Sequence, residues 1–481
     1  MHARHPVFAP KWRDATRRSG LGALLLVVSP CVLAADVDGS RLSAVWALPF
    51  VGMLLSIALA PLLVLRFWHR HYGKVALGWA MATLVPMALI LGPGVAWSGL
   101  AHTLLAEYLP FIILLLSLYT ISGGIYVRGN LHGGPLLNTT VLAVGGLLAS
   151  VMGTTGASML LIRPLLRAND NRRHVAHVFI FFIFIVGNVG GSLTPLGDPP
   201  LFLGFLNGVA FSWTATHLYP HTLFMLVALL VIFFFLDLYW YRRERVLKPD
   251  PTPDTPTVGL DGARNFWLLA AVVGLVLMSG SWKPGVNLHL AGVDLPLQNV
   301  VRDVLLLMAA WASMVITPTR VRQANQFNWG PIEEVAKLFI GIFVTMMPVL
   351  AMLKSGVDGP FALVARAVST ADGQPAPWAY FWASGILSSF LDNAPTYLVF
   401  FSLAGGDAQQ LMGPLAATLA AISAGSVFMG ANSYIGNAPN FMIKAIVEDR
   451  GVAMPSFFGY MKWSVGILIP LFVLVTLVWF V

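Results

Sequence analysis

Two aspartates of this chain lie in glycine- and proline-rich breaks within otherwise apolar sequence. Asp198 belongs to GNVGGSLTPLGDPPLFLG, residues 187–204, and Asp392 belongs to DNAPT, residues 392–396. Prolines remove backbone hydrogen-bond donors and glycines loosen the backbone, so neither segment can continue a helix. In a bilayer, such breaks survive only where protein or a water-filled cavity satisfies the freed polar groups. A carboxylate at that depth is a candidate for proton or ion binding.

Each break has a counterpart in the other half of the chain, at an offset of 239 residues. The segment MGANSYIGNAPNFMIK, residues 429–444, aligns with the Asp198 segment and places Asn437 on Asp198. At the same offset GTTGA, residues 153–157, falls on the Asp392 segment. Two interrupted elements in one order at one spacing indicate an internal duplication. Broken hydrophobic segments at matching positions of two halves predict the binding site of a secondary transporter.

Neutral oxygen atoms are abundant around both breaks. Freed carbonyls and half-helix C-termini suit a bare cation, whereas half-helix N-termini suit an anion. Hard cations such as Na⁺ prefer oxygen ligands of this kind. A carboxyl group in a desolvated site can carry a proton in one state and a cation in another. The predicted proton- or cation-binding residues are Asp198, Asp392, Asn393, Thr154, Thr155, Thr194, Asn437, Ser389, Asn188 and Asn432, with Asp198 and Asp392 as candidate Na⁺ ligands.

Structural roles are the alternative for these residues. Asp198 could cap the half-helix that begins at Pro199, and Asp392 could cap the one around Pro395. Serine, threonine and asparagine side chains in membrane bundles often only bridge helices. Neither alternative can be removed by sequence pattern alone.

Other charged residues favour structural interpretations. Asp237 approaches a helix end, where one of the arginines at 242–243 is expected to pair with it. Glu333 and Lys337 have the spacing of an i,i+4 ion pair. His177 is expected at the membrane interface rather than in a ligand site.

The composition defines the class of protein. Of 481 residues, 57% are hydrophobic and only 10% are charged, against roughly 25% charged in soluble domains. Apolar runs of about 20 residues predict an all-α polytopic membrane protein. The formal net charge of +8 is interpreted as membrane topology, because the basic residues cluster in short loops. No soluble basic domain is long enough to bind nucleic acid, and the single cysteine, Cys31, excludes a disulfide framework.

Residues 1–35 have the pattern of a signal peptide, with a basic start, an apolar core and small residues before the cleavage point. An uncleaved first helix is the alternative. Loop charges then orient the rest. The densest basic loop, residues 163–174, is placed in the cytoplasm, so the hairpin before it enters from inside. The loop after the second hairpin, GGDAQQ, has no lysine or arginine, so that hairpin enters from outside.

The predicted fold is therefore an inverted-topology repeat with two re-entrant hairpins, two broken transmembrane helices and about ten spanning helices. The predicted parts are a first repeat at 36–248 with its hairpin at 136–162 and broken helix at 175–211, a cytoplasmic linker at 249–264, and a second repeat at 265–481 with its hairpin at 378–403 and broken helix at 411–446.

At the two breaks the chain resembles the ion transporter superfamily. TPLGDPP is similar to the T-P-[IL]-G-D motif of the D-type sodium/proton antiporters, and SSFLDNAPT is similar to their S-x-x-x-D-N-x-P hairpin. The arsenite pumps and citrate transporters of the superfamily share the layout. The resemblance implies a homodimer whose scaffold holds two mobile transport domains. It carries over Asp198, Asp392 and Asn393, with Thr154 and Thr155 at the first hairpin tip.

The chain departs from the superfamily's dicarboxylate carriers at the hairpin tips. Those carriers have Ser-Asn-Thr at both tips, whereas this chain has GTTG and DNAPT. The Pro-Pro that follows Asp198 is also absent from the antiporter pattern. Asp392 would repel a di- or tricarboxylate unless it were protonated or bound to a cation, which favours cation exchange.

The predicted function is secondary transport, specifically sodium (cation)/proton antiport by alternating access. Cation-coupled transport of citrate or another organic anion is the alternative. We expect no enzyme activity and no cofactor, with Na⁺ and H⁺ as transported ions, the lipid bilayer as surroundings and the inner (plasma) membrane as location. An intramembrane aspartyl protease would want Gly-x-Gly-Asp, and Pro195 occupies the first glycine position. A passive channel is a further alternative, but inverted repeats fit a rocking motion better than a fixed pore.

Overall fold

The computed structural model describes residues 38–244 and 258–481. The predicted signal peptide at 1–35 and most of the predicted linker lie outside the described residues. Helices account for most of the described chain, and the strands in it form only two short antiparallel pairs. The prediction of an all-α polytopic membrane protein is confirmed.

The helices of the first half begin after two short 3₁₀ turns, Gly39–Arg41 and Ala44–Ala47. Two π-helical turns, Met87–Leu91 and Thr103–Tyr108, interrupt the early helices, and a 3₁₀ turn, Val189–Leu193, lies in the first break. The α-helices are α1 (Leu48–Leu63), α2 (Leu65–Pro86), α3 (Pro93–His102), α4 (Leu109–Ser122), α5 (Pro135–Met152), α6 (Thr154–Ala168), α7 (Ala176–Ile185), α8 (Pro199–Leu206) and α9 (Phe211–Arg243).

The second half repeats the pattern with longer connections. Its 3₁₀ turns are Gly356–Asp358 and, in the second break, Gly430–Asn432. The α-helices are α10 (Asn265–Ser281), α11 (Leu297–Ile316), α12 (Thr319–Ala324), α13 (Gly330–Lys354), α14 (Ala362–Ala367), α15 (Pro377–Phe390), α16 (Asn393–Leu403), α17 (Ala408–Met412), α18 (Ala416–Met429), α19 (Ala438–Asp449) and α20 (Phe457–Trp479).

Nine helical segments of the described chain are long and apolar enough to cross a membrane, against about ten predicted. One of them is Pro135–Met152, which the prediction assigned to the first hairpin. Asn265–Ser281 and Ala416–Asn432, which the prediction counted as crossings, are shorter apolar helices. Length alone therefore separates hairpin arms from spanning helices poorly, because an arm buried among neighbours can be as apolar as a lipid-facing helix.

The two hairpins are α5 with α6 and α15 with α16, and in each case the two arms pack together. Gly153 forms the first turn with a φ of +82°, a conformation that favours glycine. Equivalent helices begin at equivalent residues: α6 at Thr154 and α16 at Asn393, each 239 residues apart, as are Asp198 and Asn437. The first hairpin runs further than predicted, since α6 continues to Ala168 through residues predicted as a loop.

The described chain contains two short antiparallel strand pairs, one between segments far apart in the sequence and one between neighbouring segments. β1 (Tyr126–Arg128) pairs antiparallel with β2 (Gly259–Asp261), and β3 (Asn287–Leu290) pairs with β4 (Val293–Pro296). Neither pair was predicted. The first pair joins the end of the predicted linker to the segment after α4, and the sequence prediction places both on the cytoplasmic side.

The core of the protein surrounds the broken helices. Every residue of α7 from His177 to Ile185 is buried, as expected of a helix that is apolar on all faces. Outside this core, α13 packs on α1, α2 and α16, while α11 packs on α4 and α10. The site therefore lies between buried broken helices and a surrounding set of longer ones.

Candidate functional site

Of the two candidate aspartates, Asp198 is the more buried, with only 2% of its surface exposed. It lies directly before α8, in extended backbone with a φ of −141°. Thr154 Oγ1 donates a hydrogen bond to its Oδ1 at 3.0 Å, and Asn437 Nδ2 donates to the same oxygen at 3.2 Å. Asn393 Nδ2 donates to Oδ2. All three donors are neutral, so nothing among them cancels a negative charge on Asp198.

These four residues are two pairs related by the duplication. Asn437 precedes α19 as Asp198 precedes α8, with a φ of −153°. Thr154 opens α6 as Asn393 opens α16. The two hairpin tips and the two breaks thus meet at one point, where the second copy supplies an amide in place of a second carboxylate. The sequence offset predicted each pairing, and the structure brings the two pairs together.

Matching hydrogen bonds hold each hairpin to the break of its own half. Thr194 Oγ1 donates to the Ser150 carbonyl, and Ser433 Oγ donates to the Ser389 carbonyl at 2.5 Å. The same hydroxyls accept from the backbone N–H two residues on, at 3.1 Å and 3.2 Å. Because these bonds recur in both halves, they define the shape of the repeated unit.

Close backbone crossings complete that shape. A Cβ built on Gly197 would lie 2.1 Å from the Gly191 carbonyl oxygen, and one on Gly436 would lie 2.5 Å from the Gly430 carbonyl oxygen. Only glycine permits such an approach. The glycines of the two breaks therefore allow the chain to cross itself, at the same place in each half.

Asparagine side chains join the two halves behind Asp198. Asn437 Nδ2 also lies 3.2 Å from Asn188 Oδ1, and Asn188 Nδ2 donates to Asn440 Oδ1 at 2.8 Å. Asn440 Nδ2 in turn donates to the carbonyls of Gly430 and Ser433 at 2.8 and 2.9 Å. Asn188 is thus linked to Asp198 through the side chain of Asn437. Asn440 was not among the predicted site residues, although its position in a break was the available signal.

Asp392 lies at the second hairpin tip, on the wall of a cavity of about 520 Å³. Asp198, Thr154, Thr155 and Asn437 line the same cavity. The two carboxylates therefore belong to the lining of one enclosed space. Thr155 and Asp392 line the cavity together with Asp198. Neither forms a hydrogen bond to Asp198 among the described contacts.

The charge of this cavity is one-sided. The acidic residues that line it are Asp198, Asp392 and Glu334, while its described lining contains no lysine or arginine and one histidine, His69. His69 and Gly330 are exposed, so the cavity reaches the surface beside the first turns of α2 and α13. The prediction places that surface on the cytoplasmic side.

The capping alternatives have different outcomes. The side chain of Asp198 makes no capping bond to α8, so that alternative is wrong. Asp392 does cap α16, with Oδ1 accepting from Ala394 N at 3.1 Å. Asp392 therefore combines a structural bond with a position on the cavity wall.

Three predicted site residues bond away from Asp198. Thr194 binds the Ser150 carbonyl, and Ser389 Oγ donates to the carbonyls of Gly385 and Met429 at 2.8 and 3.2 Å. Asn432 Nδ2 donates to Ser389 Oγ at 2.9 Å. These side chains stabilise the breaks, as the helix-bridging alternative proposed.

One acceptor at the site is unused. Asn393 Oδ1 is buried and has no hydrogen-bond partner among the described residues. Within the same residues, no three of His, Cys, Asp and Glu come together as a metal cluster. A cation held here would therefore take its ligands from Asp198, Asp392 and neutral oxygens such as Asn393 Oδ1.

The expected partner of Asp237 is wrong. Asp237 is buried and pairs with Arg172, whose Nη2 lies 2.6 Å from Oδ1, and with His177 Nε2 at 2.8 Å. Asn138 Nδ2 adds a bond to Oδ2 at 2.9 Å. This network was not predictable from neighbouring residues, because Arg172 and His177 lie 65 and 60 residues from Asp237 in the sequence. The i,i+4 pair of Glu333 and Lys337 is confirmed.

Duplicated hairpins and broken helices that converge on a buried carboxylate are typical of a secondary membrane transporter. Comparison with known proteins agrees. The sequence profile of the family described as "Putative citrate transport" matches residues 39–480, and the chain belongs to that family. The chain is also similar to uncharacterized transporters of Mycobacterium bovis and Mycobacterium tuberculosis. Each is 23% identical over 344 residues, which cover 70% of this chain and 75% of the relative.

Proposed function

We propose that this transporter is a cation/proton antiporter, with Na⁺ as the first candidate cation, that works by alternating access in the inner (plasma) membrane. The observation that carries the proposal is Asp198, a buried carboxylate whose three hydrogen-bond donors are neutral. An isolated ionised carboxylate is costly to bury, so Asp198 needs either a proton or a cation. A group that must hold one or the other can exchange them.

Asp392 is the second carrier in this proposal. It lines the cavity and is half-buried, whereas Asp198 is buried. Like charges on two carboxylates that line one cavity favour neutralising at least one of them. A cation entering the cavity would be shared by Asp392, Asp198 and the unused Asn393 Oδ1. The return step would be made with both carboxyl groups protonated.

Alternating access requires one part of the protein to move against another. The hairpins and breaks of both halves form one hydrogen-bonded group, whereas the facing wall of the cavity belongs to α1, α2, α4 and α13. In the conformation described, the cavity is open beside His69 and Gly330. We propose that the hairpin-and-break group moves against those helices to expose Asp198 to the other side.

Citrate transport coupled to a cation is the second candidate. The family description favours it, and so does the cavity, whose volume of about 520 Å³ lies in the range of about 300–1,000 Å³ typical of small-molecule sites. Free citrate would meet acidic residues there without a basic partner in the described lining. Citrate would therefore enter as a complex with a metal ion or together with Na⁺.

Everted membrane vesicles with a preformed proton gradient test the two candidates. Na⁺, Li⁺, K⁺ and citrate with and without a divalent cation are added one at a time, and a pH-sensitive dye reports proton release. A response to a monovalent cation alone supports antiport. A response that needs citrate refutes antiport as the main activity and supports the second candidate.

The carrier role is tested in the same vesicles with the double variant Asp198→Asn/Asp392→Asn. The proposal expects loss of proton-coupled exchange at a normal protein level. Asp38→Asn is the matched control, since Asp38 forms an exposed ion pair with Arg41. Persisting exchange in the double variant would show that the two aspartates are not the proton carriers.

We further propose a homodimer, which the resemblance to the ion transporter superfamily implies. The mass of the detergent-solubilised protein, from light scattering corrected for bound detergent, tests this. A mass of one chain would contradict it.

A further inference from the structure

A second cavity, of about 810 Å³, lies at the far ends of two helices that begin at the candidate site. α6 begins with Thr154 and α19 begins just after Asn437, and both of these residues donate to Asp198. The two helices pack against each other. Arg163 in α6 and Arg450 just beyond α19 line the second cavity. The described linings of the two cavities share no residue.

This second cavity is strongly basic, which distinguishes it from the first. Asp170 is the one acidic residue in its described lining. Arg172 is paired with Asp237 behind the wall, so its charge is already compensated. The arginines that line the cavity are Arg163, Arg167, Arg172, Arg173 and Arg450, accompanied by His174 and His177.

Arg163 is the clearest sign of a missing ligand. It is only 7% exposed, and its Nη2 donates to Gln326 Oε1 at 3.3 Å. Its Nε and Nη1 are buried and have no hydrogen-bond partner within the described parts of the chain. Leaving a buried charged donor unsatisfied is costly. An anion in the cavity would remove that cost.

The described hydrogen bonds of Arg163 and Arg167 go to neutral acceptors and not to a carboxylate. Arg167 donates to neutral groups, the Tyr126 hydroxyl at 3.0 Å and the Val127 carbonyl at 2.7 Å. Arg450, from the other half of the chain, is close enough to repel Arg163. The C-terminal ends of α6 and α19 carry partial negative charge, but full guanidinium charges outweigh it. Two distant segments thus bring like charges together around an open space.

We propose that this cavity binds a phosphate-bearing anion through Arg163, Arg167 and Arg450. Guanidinium groups form charge-assisted hydrogen bonds to phosphate, and the unused Nε and Nη1 of Arg163 are donors available for such bonds. Basic pockets between membrane helices on the cytoplasmic side are suited to anionic lipid headgroups. Half-buried Trp240 and Trp463 in the lining are residues that favour the membrane–water interface. Free phosphate and an anionic phospholipid share this chemistry.

An anion bound there would contact both α6 and the segment just after α19. These are the C-terminal ends of two helices whose N-terminal ends lie at Thr154 and just after Asn437. The site would thereby stabilise the packing of α6 against α19, which come from different halves of the chain. This proposal does not depend on whether the cargo is a cation or citrate.

Thermal unfolding of the full chain purified in detergent tests the proposal. Tryptophan fluorescence gives the midpoint, and the probes are inorganic phosphate, pyrophosphate, citrate, and micelles doped with cardiolipin or with phosphatidylcholine. Native mass spectrometry measures retained cardiolipin. Wild-type protein should be stabilised by a phosphate-bearing probe and not by phosphatidylcholine. A response to pyrophosphate identifies a soluble anion, and a response to cardiolipin alone identifies a headgroup.

Variants locate the site. Arg163→Gln/Arg450→Gln should weaken the apparent affinity for the effective probe about tenfold or more, as expected for a lost charge-assisted hydrogen bond. Arg450→Gln alone changes an exposed residue and should weaken it without affecting folding. Arg320→Gln, at an exposed arginine of α12, is the matched control and should bind as wild type. A wild-type response in the double variant, or stabilisation by citrate but by no phosphate-bearing probe, would overturn the proposal.

Discussion

Asp198 and Asp237 are both buried aspartates, yet their surroundings differ in one decisive respect. Asp237 has Arg172 at 2.6 Å and His177 at 2.8 Å. Asp198 has only the hydroxyl of Thr154 and the amides of Asn393 and Asn437. The charge of Asp237 is compensated permanently by its own protein. In the mechanism proposed above, Asp198 instead takes its counter-charge from an exchangeable proton or cation.

The largest expected effect separates the two aspartates by function. Asp198→Asn should abolish coupled transport, because an amide can neither release a proton nor bind a cation as a carboxylate does. Its folding should be little changed, since the substitution removes the need to neutralise a buried charge. Transport in vesicles and the unfolding midpoint are measured on the same protein. Transport at the wild-type rate would contradict the comparison.

Asp237→Asn should show the opposite pattern. It leaves the buried Arg172 with only the more distant Glu244 as a counter-charge, at 3.7 Å from Nε, and breaking a buried ion pair costs about 3–5 kcal/mol. The midpoint of thermal unfolding and the amount of folded protein in the membrane measure this loss. Protein that does fold should still transport. A variant as stable as wild type would show that Arg172 finds compensation elsewhere.

The donors around Asp198 give a smaller expected effect. Asn437→Ala removes the bond at 3.2 Å from Asp198 Oδ1. A hydrogen bond to a charged group is worth about 1.5–3 kcal/mol, so cation affinity should fall about tenfold to a hundredfold. The concentration of cation that gives half-maximal exchange measures it. Asn207→Ala is a control, because Asn207 binds only the Leu203 carbonyl in the described structure. Equal affinities in both variants would refute a role for Asn437.

The smallest effect is expected at the exposed pair of Glu333 and Lys337. Lys337→Ala should change the free energy of unfolding by less than about 1 kcal/mol, because solvent screens exposed ion pairs. Denaturation of the two proteins in matched detergent measures the difference. A loss of stability as large as that of Asp237→Asn would mean that solvent exposure does not determine how much these ion pairs stabilise the protein.

The repeat pattern explains why much of the site was predictable. The offset paired Asp198 with Asn437 and Thr154 with Asn393, because both copies need the same residue types to break a helix at the same place. The sequence could not show that the two pairs converge, since that contact depends on the packing of four separate elements. Thr194 was predicted to bind the ion, but its hydroxyl donates to the Ser150 carbonyl. The direction of that hydroxyl depends on the backbone path of the break, which the sequence does not show.

Long-range pairing was the least predictable feature. Asp237 was expected to bind an arginine close to it in sequence, but the structure supplies Arg172 from beyond the first hairpin. α6 was expected to end before Arg163, yet Gln326 and the hydroxyl of Tyr126 accept hydrogen bonds from arginines of its last turns. Such acceptors satisfy part of the hydrogen-bonding capacity of a buried arginine. Their positions are a property of the folded chain.

The bonds that fasten each hairpin to its break have a consequence for backbone motion. Irregular backbone normally exchanges its amide hydrogens quickly, because it opens easily to water. Here Thr194 and Ser433 fasten the breaks, and the backbone N–H of Leu196 and Ile435 is bonded to those same hydroxyls. We therefore expect the amide hydrogens of Leu196 and Ile435 to exchange with deuterium as slowly as those of the buried helix α7, although they belong to no helix.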